Sequence, residues 1–197
     1  MATRIGLQTG VAALAILAVS AAWSQTYPAR TVRIVVPYAA GGNTDIVTRL
    51  IAQHLTPHWG QEVIVDNRAG GATNIGSALV ARAQPDGHTL LMGGASNAIN
   101  MTLFKTLPYD TLKDLTPISL VGQTPQVLAV TPAIAAGSVK EFIAYAKERP
   151  NALNYGSTGV GSTANMAGAL LKLMAGIQLV HVPYKGTAQS LTDLIAG

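Results

Sequence analysis

The groups able to do chemistry in this 197-residue chain are mainly hydroxyls, amides and main-chain N–H groups, gathered in glycine-rich stretches. One stretch runs Tyr38, Ala39, Ala40, Gly41, Gly42, Asn43, Thr44, Asp45. A second holds Ser157, Thr158, Gly159, Gly161, Ser162 and Thr163, and a short third offers Ser96 and Asn97. Neither of the two longer stretches contains Lys or Arg. A carboxylate held there would be neutralised by helix dipoles and unpaired N–H donors, with ordered water as a bridge. Gly41 and Gly42 would let a ligand approach the main chain, and Tyr38 could stack on it or wall it in. Asp45 suits the positive end of a helix and can accept loop N–H groups, which reads as an organiser rather than a base. Each hydroxyl is equally suited to a plain helix cap, Ser162 and Thr163 most of all.

Other chemistries fit less well. A P-loop needs Lys before its Ser/Thr, and Gly161 stands in that place before Ser162. The pattern G-x-G-x-x-G is absent from both loops, so no nucleotide or other cofactor is expected. His54 and His58 lie four apart, but Thr56-Pro57 between them is expected to end the helix at Thr56 or earlier. With His88 and His181 in strands, all four histidines read as structural or surface groups, and no metal site is expected. A serine hydrolase would need an activated Ser beside His and an acid. Ser157 and Ser162 lack the G-x-S-x-G elbow, and nothing in the sequence aligns either with His181 or Asp193. The expectation is therefore a binding protein without catalysis. An envelope hydrolase using Ser157 or Ser162 is the alternative.

The elements that must position these loops follow from periodicity. Val32, Ile34, Val35 and Val36 form a β-branched run that Pro37 ends. Ile46, Val47, Leu50, Ile51 and Leu55 follow at helical spacing, with Asn43 or Thr44 as cap. Residues 62–66 read as a second strand, 74–83 as a helix with Ile75, Ala78 and Leu79 inward, and 88–92 as a third strand. This alternation predicts a parallel sheet covered by helices, with ligands beyond the C-terminal strand ends. The loops after the first and third strands would share that edge. Residues 101–114 look irregular. Residues 118–121 and 127–130 are candidate strands, with 122–126 as a hinge.

The plan then restarts. Ser138-Val139-Lys140-Glu141 is a capping box opening a helix that buries Val139, Phe142, Ile143 and Ala146. A strand is expected at 153–156, a helix carrying Met166, Leu170 and Met174, a strand at 177–182 and a helix from Thr187. Two βαβ lobes, each offering a helix N-terminus to one cleft, form an arrangement able to clamp a small anion.

Arg4, the apolar run 11–19 and the small residues Ala22 and Ser24 have the layout of a secretory signal peptide over residues 1–24, cleaved after Ser24. Removing it takes the net charge from +4 to +3, because Arg4 is its one charged side chain. An exported chain with no cysteine fits a bacterial envelope. The 11% content of charged residues argues against disorder and against a nucleic-acid surface.

Six blocks together resemble one family. Val36-Pro37-Tyr38-Ala39-Ala40-Gly41-Gly42-Asn43-Thr44-Asp45, followed by Arg49, is similar to the first signature of the substrate-binding proteins of tripartite tricarboxylate transporters, the TctC or Bug family. Val65-Asp66-Asn67-Arg68-Ala69-Gly70-Gly71-Ala72 is similar to the second. Pro85-Asp86-Gly87-His88-Thr89-Leu90-Leu91, Leu107-Pro108-Tyr109-Asp110, Leu153-Asn154-Tyr155-Gly156-Ser157 and His181-Val182-Pro183-Tyr184-Lys185-Gly186 follow in the family's order.

The resemblance implies an α/β periplasmic binding protein-like (type II) fold, a two-lobed Venus flytrap. Residues 25–122 would form the first part of lobe 1 and 123–197 an incomplete lobe 2. It implies a monomeric periplasmic receptor that hands a small carboxylate solute (a di- or tricarboxylate, amino acid or aromatic acid) to membrane permease subunits. A receptor reporting to a sensor kinase is a further alternative. The ligand carboxylate would sit between the loops 38–45 and 156–163. Family members run on past residue 197, so the chain is expected to be a fragment or truncated product, marginally stable and impaired in binding.

Overall fold

The computed structural model describes residues 26–197; the predicted signal peptide and its cleavage after Ser24 lie outside the described residues. The β-branched run after Thr31 forms β1 (Val32–Val36), the middle strand of a parallel three-stranded sheet of order β2-β1-β3. β2 (Val63–Asn67) pairs with Val32 opposite Val63, and β3 (Thr89–Leu91) with Ile34 opposite Leu90. A central parallel strand is covered on both faces, which is why four of its five residues are buried. α1 (Asn43–Trp59) crosses from β1 to β2, and Ala52, Leu55 and Trp59 pack on Val32, Ile34 and Val63. α2 (Asn74–Ala81) crosses to β3 behind a short 3-10 turn, Gly71–Thr73. Then come α3 (Ala95–Leu103) and the one-turn α4 (Thr111–Asp114).

The second half has its own sheet and core. β4 (Asn154–Ser157) and β5 (Val180–Pro183) pair in parallel, with Tyr155 opposite His181. α5 (Val139–Lys147) precedes them, α6 (Thr163–Ala175) crosses between them and α7 (Thr187–Ala196) follows. Phe142, Ala146, Ile177 and Leu179 form the buried centre, joined by Val130, Ile134, Leu153 and Leu171.

Several expectations are corrected. α1 does not stop at Thr56: it runs through Pro57 to Trp59, and Gly60, at φ 64°, ends it by donating to the Thr56 carbonyl. Pro57 has no N–H to give the Gln53 carbonyl, so the helix carries on to Trp59 with one bond fewer. His54 and His58 thus share one helix, and His54 Nδ1 lies 2.8 Å from the Leu50 carbonyl. The cap of α1 is Gly42, neither Asn43 nor Thr44, and no side chain caps it.

Residues 118–121 and 127–130 form no strand, since nothing among the described residues pairs with them. Ile118, Leu120 and Val127 stand 79%, 74% and 83% exposed there. Residues 101–114, expected to be irregular, hold the end of α3 and the whole of α4, and the buried side of α3 is polar: Ser96, Asn97 and Asn100. Four predicted apolar stripes are incomplete, that of α1 among them, where Ile46 and Leu50 are each 52% exposed. Ile75 and Val139 are half exposed, as is Leu170 in α6, while Met174 is 79% exposed. Only half of the box at Ser138 forms: Ser138 Oγ accepts the Glu141 N–H, but Glu141 reaches back to the Gly137 N–H rather than to that of Ser138.

Candidate functional site

The loops after β1 and β3 do lie on one edge of the first sheet. The Tyr38 hydroxyl is 3.3 Å from Ser96 Oγ. Gly94 precedes α3, and its N–H donates to Asn97 Oδ1 at 3.0 Å. Asn97 Nδ2 in turn donates to Ser77 Oγ at 2.8 Å. Ser96 and Asn97 are both buried, so they hold this edge rather than project from it.

The first loop is built round Asp45. Its carboxylate is 4% exposed and accepts from the Gly41 N–H at 2.9 Å, Arg49 Nε at 3.0 Å and Asn67 Nδ2 at 3.0 Å. Burial pushes the Asp45 carboxyl up, but these hydrogen bonds outweigh it and hold the group below the ordinary carboxylate range. Asn67 also donates to the Tyr38 carbonyl, and Arg49 reaches Asn67 Oδ1. Gly41 can offer its N–H inward because φ is 82°, where a side chain would be strained. Gly42 and Asp45 are buried and Tyr38, Ala39 and Thr44 half-buried; Ala40, Gly41 and Asn43 are exposed. Asp45 is thus an organiser, and the Gly41 N–H is already engaged.

The second loop is built from neutral groups. Ser162 Oγ caps α6 by accepting the Asn165 N–H at 3.2 Å. Asn165 Oδ1 accepts the Gly161 N–H at 3.2 Å, and Asn165 Nδ2 donates to the Tyr155 hydroxyl at 3.1 Å. Gly161 takes φ 78° and Gly159 takes φ 109°. Ser157, Gly161 and Ser162 are buried, Thr158 and Gly159 half-buried and Thr163 exposed.

Sequence reasoning found no partner for Ser157, and the structure corrects this: Ser157 Oγ lies 2.6 Å from His181 Nε2. The pair was hidden because the residues lie 24 apart and meet only through the β4–β5 register. Asp193 does not complete a triad, since its carboxylate accepts from the Tyr184 hydroxyl at 2.7 Å.

The two halves meet at the turn between β5 and α7. The Ala39 N–H donates to the Lys185 carbonyl at 3.3 Å, and the Tyr184 N–H to the Ser157 carbonyl at 2.8 Å, so this turn touches both loops. A Cβ on Gly186 would stand 3.0 Å from Ala39 Cβ. On the far side, Asn100 Oδ1 and Leu103 of α3 fill the space that a side chain on Gly161 would take. Lys185, Gly186 and Asn100 escaped the sequence reading. The block that contains Gly186 was visible as a motif, but nothing local says that it reaches the first loop.

Two parallel α/β units meeting at loops that follow strands are the build of two-lobed solute-binding proteins. The chain belongs to the tripartite tricarboxylate transporter family of receptors, whose model matches residues 47–197. It is 37% identical over 176 residues to Protein BugT of Bordetella pertussis, covering 88% of this chain and 54% of that protein. Among solved structures, R. palustris Rpa4515 with adipate aligns at a TM-score of 0.82 and 40% identity, over 85% of this chain and 56% of that one. MatC (Rpa3494) from Rhodopseudomonas palustris with bound malate aligns at 0.77 and 34%, over 85% and 57%. The chain therefore spans little more than half the length of these relatives.

Proposed function

We propose that the protein is a periplasmic receptor that holds a small carboxylate between the loops 38–45 and 157–163 and presents it to a tripartite tricarboxylate-type permease. The observation that carries this reading is the meeting, across the turn 184–186, of two glycine-rich loops that each open a long helix and contain no basic residue. With the Gly41 and Gly161 amides engaged, the donors left for a solute at the two helix starts include those of the cap Gly42 and of Asn43, Thr44 and Asp45 in α1, and of Thr163 and Ala164 in α6. The described residues supply no hydrogen-bond acceptor for these N–H groups. Relatives solved with adipate and malate support a carboxylate as the solute class. The predicted signal peptide supports export. The lobes would divide at 122/123, inside the stretch without regular structure.

The test is calorimetry with adipate and malate. Binding is expected without product formation, and Gly42→Asp should weaken it by about tenfold or more by placing a carboxylate among the donors. Unchanged affinity in that variant would remove the first loop from the site. Product formation from an ester substrate, lost in Ser157→Ala, would favour the hydrolase reading, for which the 2.6 Å contact to His181 is the one specific observation.

A further inference from the structure

The receptor reading gives no work to the contact between Ser157 and His181. Parallel pairing sets Tyr155 beside His181, and alternation along β4 puts Tyr155 and Ser157 on the same face. The imidazole therefore touches both. Its ring lies 4.9 Å from the Tyr155 ring at an angle of 30°, and its Nε2 reaches Ser157 Oγ. From these two contacts, bonds run to every fixed point of the second loop. Through Ser157 Oγ they reach the Gly159 N–H at 3.1 Å. Through the Tyr155 hydroxyl they reach Asn165, and from it the Gly161 N–H and the Ser162 cap.

We propose that His181 is a positioning residue of the second loop: its Nε2 holds the Ser157 hydroxyl, and that hydroxyl fixes the 157–159 turn that sets the N-terminus of α6. The consequence for solute affinity rests on the receptor reading; the structural content does not. Ser157 has one proton and two acceptors in reach, Nε2 at 2.6 Å and the Gly159 carbonyl at 3.1 Å. With Nε2 unprotonated the hydroxyl donates to it, and in the other tautomer the ring donates to Oγ while the hydroxyl turns to Gly159; either way the contact holds Ser157. The charged group that bears on the ring is Lys172 of α6, whose Nζ donates to the Leu179 carbonyl. Tyr155 faces it from β4. Burial, with Lys172, holds its pKa below the ordinary histidine value and keeps the ring neutral.

A nucleophilic role fits worse. No carboxylate among the described residues orients the ring, and Ser157 is 2% exposed. The Gly159 N–H also points at Oγ itself rather than at a space beside it, where an oxyanion would form.

The test compares the full chain with His181→Leu and His181→Gln, reading hydrogen exchange at the 157–162 amides and adipate affinity by calorimetry. The Leu variant should raise exchange at Gly159 by about five- to tenfold, the worth of one lost hydrogen bond, and weaken adipate by a similar factor. The Gln variant can rebuild the bond and should return both to within about twofold. If His181→Leu does not fold, His181→Asn, a polar side chain too short to reach Ser157 Oγ, should show the same rise at Gly159. Unchanged exchange in the Leu variant would overturn the proposal, as would a Gln variant that behaves like Leu. If adipate binds none of the proteins, the receptor reading falls while the exchange result still decides this one. Acylation of Ser157 by a fluorophosphonate would replace the positioning role with a nucleophilic one.

Discussion

The two loops solve one geometric problem with opposite chemistry. In each, a strand ends, a glycine takes positive φ, and the third residue of the following helix folds back to accept that glycine's N–H. In the first loop the acceptor is Asp45 on Gly41; in the second it is Asn165 on Gly161. The fold-back alone, without the positive φ, recurs at α3, where Asn97 accepts from Gly94, and at α5, where Glu141 accepts from Gly137. What differs is charge. Asp45 offsets the dipole of α1 and is in turn offset by Arg49. Asn165 leaves the dipole of α6 uncompensated. The second loop therefore presents the more positive helix end, and the first is the more firmly tied.

The largest effect expected from this contrast is on affinity. Asn165→Asp keeps an acceptor for the Gly161 N–H, and the Tyr155 hydroxyl can turn its proton to the new carboxylate. The fold should persist. A negative charge without an arginine partner would then sit at the α6 N-terminus, and adipate affinity by calorimetry should fall by about tenfold or more. An unaltered affinity would mean that the second loop's charge state does not matter to the solute.

The mirror substitution, Asp45→Asn, should act on stability instead. Asp45 Oδ2 receives both the Gly41 N–H and Arg49 Nε, while Oδ1 receives Asn67 Nδ2. An amide supplies only one acceptor oxygen, so donors face donors wherever the NH2 turns. The loss should be about 2 kcal/mol in urea unfolding, in line with buried hydrogen bonds to a charged group. A variant as stable as the parent would show that the first loop keeps its shape without the carboxylate.

Much of this architecture was legible in the sequence, and the failures have physical causes. β1 and β2 were readable because β-branched apolar residues run together in them. α3 was not, because the side it buries is Ser96, Asn97 and Asn100, and a polar buried face gives no hydrophobic period. Residues 118–121 and 127–130 misled in the opposite way. They have the composition of strands, but a strand exists only by pairing, and the described residues offer no partner. In the site, glycines, caps and the organising Asp45 were visible as local chemistry. The Ser157–His181 contact and the approach of Gly186 to Ala39 were not, because strand register and the meeting of the two halves create them.

Acid should separate the loops by pH. His181 has a folded pKa below its unfolded value of 6.5. As pH falls below about 6.5, the unfolded chain takes up a proton that the folded ring refuses, so stability declines until the folded value is passed. Asp45 is held below the ordinary carboxylate range, so its contribution is complete above the unfolded value and is lost only as pH falls through the folded one. Hydrogen exchange at pH 5.5 against pH 7.5 should therefore show the 157–162 amides loosening while 39–45 stay protected. The change should be smaller than that of Asp45→Asn and should vanish in His181→Gln. Loosening of the first loop ahead of the second would reverse the contrast drawn between them.

The smallest expected effect tests how much of the first loop's firmness is the ion pair itself. Arg49 meets Asp45 through Nε and Asn67 through a terminal nitrogen, yet half of its side chain is exposed. An exposed partner is screened by water, so its charge adds little to what the Gly41 N–H and Asn67 already give Asp45. Arg49→Lys keeps the charge but loses the fork that spans both acceptors. Adipate affinity should change by less than about twofold, with only a slightly lower melting temperature. A large loss would shift the weight of the first loop from buried amides to a surface cation, making the two loops less alike in plan than their shared backbone geometry suggests.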